Sequence, residues 1–125
     1  MAGPWPRLSG ALALIVVAGC STAASAPAPS DPTAAAGQQL IQQKGCGACH
    51  VIPGVPGANG VIAPNLTGVA SRTTLAGGDV PNNGPDDLKR WIMDPPAVKP
   101  GTSMPKLGLT DDEATKIVAY LETLK

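Results

Sequence analysis

Two cysteines and a histidine lie within five residues, at Cys46-Gly47-Ala48-Cys49-His50. Two thiols three positions apart can each add to one vinyl group of the same porphyrin. The adjacent imidazole can then bind the iron beneath the ring. The pattern Cys-x-x-Cys-His therefore predicts a single covalently attached c-type haem, with His50 as an iron ligand.

A bare Cys-x-x-Cys pair has other uses, as a disulfide, a redox dithiol or half of a zinc site. A structural zinc site needs about four ligands. His50 is the only histidine, however, and Cys20 is the only other cysteine. A thioredoxin-like dithiol lies beside a βαβ pattern, which this sequence does not contain. Haem attachment is the better interpretation.

The second axial position of such an iron needs a ligand that is not histidine. Met93 falls in a predicted helix beside its apolar face, where it is expected to fill the core. Met104 lies in a loop next to Pro105, far downstream of His50. We predict Met104 as the second ligand, since a thioether favours ferrous iron and raises its potential. The alternative is an ordinary methionine of a surface loop.

The composition suits a small domain built around a cofactor. The chain has 125 residues, with 15 Gly, 14 Pro and no Phe, which fits one domain with a poor core of its own. A haem would supply the missing apolar mass. Nine basic and nine acidic side chains leave no net charge, so nothing indicates a nucleic-acid partner, which needs a basic patch.

Residues 1–19 are predicted to be a signal peptide. They carry one basic side chain, Arg7, followed by an apolar run from 11 to 18 that is much shorter than the ~20 residues of a membrane span. The run ends in Val17-Ala18-Gly19-Cys20, which resembles a bacterial lipoprotein signal. That resemblance implies export and a lipid on Cys20, which would anchor the protein to a membrane on its periplasmic or outer-surface side.

Ordinary cleavage after Ala24-Ser25-Ala26 is the alternative, and it would release a soluble periplasmic protein. Residues 20–32 are mostly Ala, Pro and Ser and are predicted to be a tether, because they cannot bury enough surface to fold. Residues 33–125 are predicted to be the folded domain.

The local signals of residues 31–125 predict three main helices, two long loops and no confident strand, hence an all-α fold around one haem. The first helix starts at Asp31-Pro32 and ends at Gly45; the second starts at Pro85 and ends at Asp94-Pro95-Pro96. The third follows the capping box that Thr110 opens. In the loop 51–84 the expected apolar contacts are Val61, Ile62, Leu66, Val69 and Leu75, and the second loop covers 97–109.

With the Cys-x-x-Cys-His motif upstream, Met104 downstream and an amphipathic last helix, residues 33–125 resemble a class I cytochrome c. The stretches 63–72, 87–95 and 99–105 are similar to the cytochrome c domain fused to subunit II of bacterial caa3-type haem-copper oxidases. That fused domain receives electrons and passes them to the copper centre of the oxidase.

The resemblance implies roles for three further residues. The backbone carbonyl of Pro64 would accept a hydrogen bond from the imidazole of His50. The indole of Trp91 would donate to a haem propionate, with core packing as the alternative, and Arg72 would help to neutralise a propionate.

The resemblance also implies that the first and last helices cross through a small residue and aromatic side chains. Gly37 and Tyr120 fit that crossing, whereas Ile41 stands where the family usually has Phe.

The expected function is single-electron transfer rather than enzymatic catalysis. The donor would be a quinol-oxidising complex or a periplasmic dehydrogenase, and the acceptor a haem-copper terminal oxidase. One alternative is a haem-bearing small subunit of a periplasmic dehydrogenase. Another is a peroxidase-like or gas-sensing haem protein, which needs an open sixth position on the iron and for which the sequence offers no distal histidine.

Overall fold

The computed structural model describes Gly3 and residues 28–125. Apart from Gly3, the predicted signal peptide lies outside the described residues, as do Cys20 and most of the predicted tether. The described chain is mostly helical, and its elements are α1 (Pro32–Gln43), β1 (Thr74–Leu75), β2 (Val80–Pro81), α2 (Pro85–Met93), α3 (Pro95–Val98) and α4 (Asp111–Leu121).

Helix α1 has the boundaries that its capping residues predict. The carboxylate of Asp31 accepts hydrogen bonds from the backbone N–H groups of Thr33 and Ala34. Pro32 occupies the first helical position, where a missing N–H costs nothing. The helix closes at Lys44, and Gly45 follows in the left-handed conformation, with φ of 73°.

Helices α1 and α4 cross in close contact, and Gly37 makes that contact possible. A Cβ atom at Gly37 would lie 1.9 Å from the carbonyl oxygen of Lys116 on α4. Tyr120 is buried on α4, and its hydroxyl donates to the carbonyl of Pro53 at 2.6 Å. The expected parts of Gly37 and Tyr120 in this crossing are confirmed, and Ile41 is fully buried in the core beside it.

The three main helices that the sequence predicts are α1, α2 and α4, and the structure adds one short turn, α3, because Pro95 and Pro96 begin a helix as well as ending one. Helix α2 ends at Met93, as predicted, and Asp94 then caps the single turn of α3 by accepting from Ala97 N–H at 3.3 Å. Prolines are tolerated in a first turn because its N–H groups have no helical partner anyway. The second loop therefore starts at Lys99, not at Ala97.

The sequence gives no clear strand signal, and the two strands that the structure contains are minimal. Residues 74–75 pair antiparallel with 80–81, in the register Thr74 to Pro81 and Leu75 to Val80. The turn between them needs Gly77 and Gly78, which have positive φ angles of 77° and 109°. Two-residue strands are too short to show the alternation by which a strand is recognised.

The core lies between α1, α2 and α4, with the loop 51–84 wrapped against it. Val69 and Leu75 of that loop are buried and Leu66 packs beside them, as expected. Val61 and Ile62 are exposed and make no contact with this core, so their expected contacts with a haem stay a prediction. None of the described helices is both long and apolar enough to traverse a bilayer.

Candidate haem and iron site

A single 3₁₀ turn, Cys46–Ala48, follows α1 and presents the motif. Its backbone bonds run from Ala48 N–H to Gly45 and from His50 N–H to Cys46, at 3.0 and 3.1 Å. In such a turn, residues three and four apart lie on the same side. The turn therefore folds the motif compactly, and Cys46 and His50 line the apolar cleft described below, whereas Cys49 is not part of that lining.

Both sulfurs are available for thioether bonds, because Cys46 and Cys49 are free thiols rather than a disulfide. The two side chains are half-buried. Burial raises the pKa of the Cys46 thiol, since a thiolate is disfavoured away from water. The thiol state and its partly apolar surroundings fit addition to the vinyl groups of a haem better than a disulfide does.

The imidazole of His50 is oriented by one hydrogen bond. Its Nδ1 lies 2.6 Å from the carbonyl oxygen of Pro64, and because a carbonyl can only accept, Nδ1 carries the proton. The other nitrogen, Nε2, is then left with its lone pair free for a metal. This contact is the one that the resemblance implies for Pro64.

Arg72 holds the segment that follows Pro64. Its guanidinium donates to the carbonyl oxygens of Asn65 at 2.5 Å and Thr67 at 2.9 Å. The side chain of Asn65 also accepts from Thr67 N–H at 2.8 Å, which tightens the same turn. Arg72 therefore acts here as a loop clamp, and its part at a haem propionate stays a prediction.

His50 and Met104 line the same apolar cleft, together with Cys46. The remaining side chains around it come from α1, α2, α4 and the two loops: Ile41, Ile52, Leu66, Ile92, Leu107, Leu109, Ile117 and Leu121. Such a lining fits the apolar faces of a porphyrin, and the soft imidazole and thioether donors suit haem iron.

The loop of Met104 is tied down on both sides of the thioether. Upstream, the ammonium of Lys99 pairs with Asp79 at 2.6 Å and donates to the carbonyl of Ala76 at 2.9 Å. Downstream, Lys106 pairs with Asp94 at 2.5 Å, and this contact lowers the pKa of the Asp94 carboxyl. A loop fixed in this way can hold a side chain against the cleft without a regular helix or strand.

Two other predicted residues lie in the core near the cleft. Trp91 is buried on α2 next to Ile92, a residue of the cleft lining. Its packing is thus observed, whereas its bond to a propionate stays a prediction. Met93 packs against the core, as expected of a space-filling methionine.

Sequence reasoning missed Asn82, which is buried just before α2. Its amide donates to the carbonyl oxygens of Arg72 at 2.7 Å and Val69 at 3.4 Å. It therefore fixes the backbone from which the clamp of Arg72 reaches out. No local signal marks it, because an Asn-Asn-Gly run is also typical of an exposed turn.

A mostly helical fold with a Cys-x-x-Cys-His turn at an apolar cleft defines the class of small c-type haem proteins. A family model described as Cytochrome c matches residues 34–125. The chain therefore belongs to the cytochrome c family. Membership implies a covalently bound haem c and a role in electron transfer.

Three characterised relatives place the chain more closely. It is 36% identical to cytochrome c oxidase subunit 2 of Bacillus subtilis, over 71% of this chain and 26% of the relative. It is 31% identical to the same subunit of Alkalihalophilus pseudofirmus, over 78% of this chain and 27% of the relative. A cytochrome c-type cyt cy of Rhodobacter capsulatus is 32% identical over 78% of this chain and 52% of the relative.

The predicted resemblance to an oxidase subunit II is thereby confirmed. The aligned region spans only about a quarter of the two oxidase subunits and about half of the Rhodobacter protein. The similarity therefore concerns the cytochrome c domain and not the whole of those proteins.

Proposed function

We propose that this protein is a membrane-anchored mono-haem electron carrier that passes single electrons to a haem-copper terminal oxidase. The observation that carries the proposal is the apolar cleft that His50, Met104 and Cys46 line together. A haem bound there supplies an iron that alternates between the ferrous and ferric states. The side chains around the haem carry out the other parts of the function.

Each proposed site residue has a separate task. Cys46 and Cys49 tether the cofactor, so that it stays bound in both oxidation states. His50 binds the iron through Nε2, and its bond to Pro64 keeps the ring in one orientation. Met104, which lines the same cleft, would hold the iron through its thioether, a soft donor that favours the reduced state.

Closing both axial positions separates a carrier from a haem enzyme or a gas sensor, which both need an open position. A haem held by these residues would supply an iron that exchanges single electrons without binding other ligands. The apolar lining limits reorganisation of solvent around the iron. The proposal therefore assigns no catalytic residue to this chain.

The oxidase as acceptor is supported by two relatives that are themselves named cytochrome c oxidase subunit 2. A lipid on Cys20 would confine the carrier to the membrane surface and raise its local concentration near membrane partners. The donor in this scheme is a quinol-oxidising complex or a periplasmic dehydrogenase.

Oxidation by membranes tests this function. The full chain, expressed with its haem and chemically reduced, is mixed with washed membranes of the source bacterium, and its visible spectrum is followed. We expect oxidation that consumes oxygen and that cyanide, an inhibitor of haem-copper oxidases, abolishes. Oxidation that is insensitive to cyanide, or none at all, would contradict the proposed acceptor.

A further inference from the structure

Two neighbouring apolar side chains, Val61 and Ile62, stand in water. Val61 is 87% exposed and Ile62 is 81% exposed, whereas the apolar side chains of Ile52, Val55 and Val69 in the same loop are buried. Burial of side chains of this size is favourable in free energy, so their exposure to water leaves that stabilisation unused. Adjacent apolar side chains at the surface are typical of an interaction site.

Backbone hydrogen bonds hold this pair against the haem-attachment turn. Gly60 N–H donates to the carbonyl of Gly47 at 3.1 Å, and Ala63 N–H donates to the carbonyl of Cys49 at 3.0 Å. Val61 and Ile62 lie between these two anchoring bonds. Their position relative to the turn is thus fixed on both sides.

Gly60 allows the two segments to touch. A Cβ atom at Gly60 would lie 2.4 Å from the carbonyl oxygen of Ala48, so only glycine fits. The side chain of Ala48 is exposed as well. The segment of Val61 and Ile62 therefore lies against the haem-attachment turn, and we call these two side chains, together with the exposed Ala48 of that turn, the apolar tip.

The segment that carries the apolar tip has no charged side chain of its own, and Arg72, which follows it in sequence, turns its guanidinium to the carbonyl oxygens of Asn65 and Thr67. No Asp, Glu, Lys or Arg occurs from Gly45 to Ser71. Elsewhere in residues 28–125, lysines are matched by acidic side chains in ion pairs: Lys44 with Glu113, Lys89 with Asp111, Lys99 with Asp79, Lys106 with Asp94 and Lys116 with Asp112. Arg72 and Lys125 are the basic side chains of residues 28–125 that form no ion pair, and two are too few for the basic cluster that would attract an acidic partner.

We propose that the apolar tip is the docking surface for the electron acceptor, and that the acceptor presents an uncharged, apolar surface at its own point of electron entry. This inference rests on the proposed function and adds the chemistry of the partner's surface. Docking there places the partner next to Ala63, whose backbone N–H donates to the carbonyl of Cys49. One electron then leaves the reduced carrier and reduces the metal centre of the acceptor, with no proton or group transferred.

A contact of this kind has a recognisable signature. Complementary charges speed association and make it strongly dependent on salt. Burial of apolar surface instead gives a negative heat-capacity change of binding. The apolar tip therefore predicts an affinity that changes little with salt and a heat-capacity change that shrinks when the tip is made polar.

The test uses the full haem-bearing chain and the purified haem-copper oxidase of the source bacterium in detergent. The double variant Val61→Ser/Ile62→Ser removes the apolar surface, and Ile62→Lys adds a charge to it. Gln39→Lys is the matched control, because Gln39 is exposed on α1 and receives the same charge away from the tip. All four proteins must show the same visible spectrum, which establishes that haem attachment is intact.

We expect the double variant and Ile62→Lys to raise the Kd and the KM about tenfold, the loss expected for one buried aliphatic side chain, with kcat unchanged. Gln39→Lys should match the unaltered protein. The Kd of the unaltered protein should change less than about twofold between about 20 and about 200 mM salt, a range over which charge-driven docking weakens strongly. Calorimetry should give a smaller heat-capacity change for the double variant.

Three results would overturn the inference. One is a Kd that both tip variants leave unchanged, since the tip then faces a membrane or a different partner. Another is an affinity that falls steeply with salt, which indicates charged docking. If the oxidase neither binds nor oxidises the unaltered protein, the proposed function is wrong and the inference falls with it; the first two results leave that function standing.

Discussion

The lone histidine of this chain is held by a series of hydrogen bonds that begins far from it in sequence. Asn82 fixes the backbone of Arg72, and Arg72 clamps the turn after Pro64. The Pro64 carbonyl then sets the proton of His50 on Nδ1. The ligating nitrogen is thus positioned by residues that never touch the iron.

Loosening this clamp should alter the iron ligand without removing it. In Arg72→Met the two carbonyl bonds are lost, which should cost about 1 kcal/mol of stability for half-exposed contacts of a charged donor. A weaker bond to Pro64 also makes the imidazole a poorer donor. It then stabilises ferric iron less, so the reduction potential should rise.

Redox titration and urea unfolding of Arg72→Met and Arg72→Lys check this prediction. The lysine variant keeps one donor, so its reduction potential should rise less than that of Arg72→Met. A potential that neither substitution changes, with stability reduced, would mean that Arg72 supports the loop but not the orientation of His50.

Met104 is the residue whose loss separates a carrier from a ligand-binding haem protein. Met104→Ala should open the sixth position, so that the reduced protein binds carbon monoxide and its potential falls. Met93→Ala is the matched control, because Met93 packs in the core and its loss should leave the iron closed. Carbon monoxide binding and redox titration measure both effects. If Met104→Ala behaves as the unaltered protein does, Met104 is not an iron ligand.

At the scale of single residues, the sequence predicts which residues form the site better than it predicts which residues hold them in position. The motif carries its own spacing, so Cys46, Cys49 and His50 are recognisable without a fold. Asn82 and the clamp of Arg72 are not, because their partners are backbone carbonyls. The position of a carbonyl depends on the folded path of the chain.

The crossing of α1 and α4 is the contact between elements on which the cleft depends. Gly37→Ala places a Cβ atom 1.9 Å from a backbone oxygen that cannot move without shifting α4. We expect a loss of about 3 kcal/mol in the free energy of unfolding, the upper end of the usual cost of overpacking. Denaturant unfolding measures it, with the exposed Gln39→Ala on the same helix as control. Equal stability of the two variants would mean that the helices are not in contact at Gly37.

An ion pair joins the same two helices at their ends. Lys44 of the α1 C-cap lies 2.8 Å from Glu113 in the first turn of α4, and this contact lowers the pKa of Glu113 below its ordinary value of 4.5. A lowered folded pKa stabilises the fold above the unfolded pKa. That stabilisation is lost as the pH falls through the folded value.

Glu113→Gln should therefore flatten the loss of stability on acidification below about pH 4.5, and it should lower stability modestly at neutral pH. Thermal unfolding across pH 3 to 7, roughly the range in which carboxylates titrate, measures both effects. Asp86→Asn in the first turn of α2 is the control, because it removes a carboxylate and keeps the Lys44–Glu113 pair. If Glu113→Gln loses stability on acidification as steeply as the unaltered protein, the Lys44–Glu113 pair does not contribute to the pH dependence of stability.

The predicted boundaries of α1, α2 and α4 are correct at their starts because capping residues act locally. Helix α3 and the hairpin of β1 and β2 were missed for a different reason. Four residues of helix and two residues of strand are too short for any period. They are stabilised by contacts that only the folded chain provides, such as the bond of Lys99 to Ala76.

At the scale of the molecule, a chain rich in Gly and Pro and without Phe forms a small core with an apolar cleft beside it. Its charges balance in the sequence, so no bulk field directs its partners. The apolar cleft and the apolar tip then become the two features available for function. The first would hold the cofactor and the second would meet the acceptor.

The central claim, a haem attached at Cys46 and Cys49 with both axial positions filled, is tested most directly by one absorption measurement. The full chain, expressed in cells that assemble c-type cytochromes, is reduced and its visible spectrum is recorded with and without carbon monoxide. We predict a c-type spectrum that carbon monoxide leaves unchanged. A c-type spectrum that shifts would contradict the closed iron and favour a gas-binding or peroxidase-like protein, and the absence of haem absorbance would return Cys46 and Cys49 to a dithiol pair.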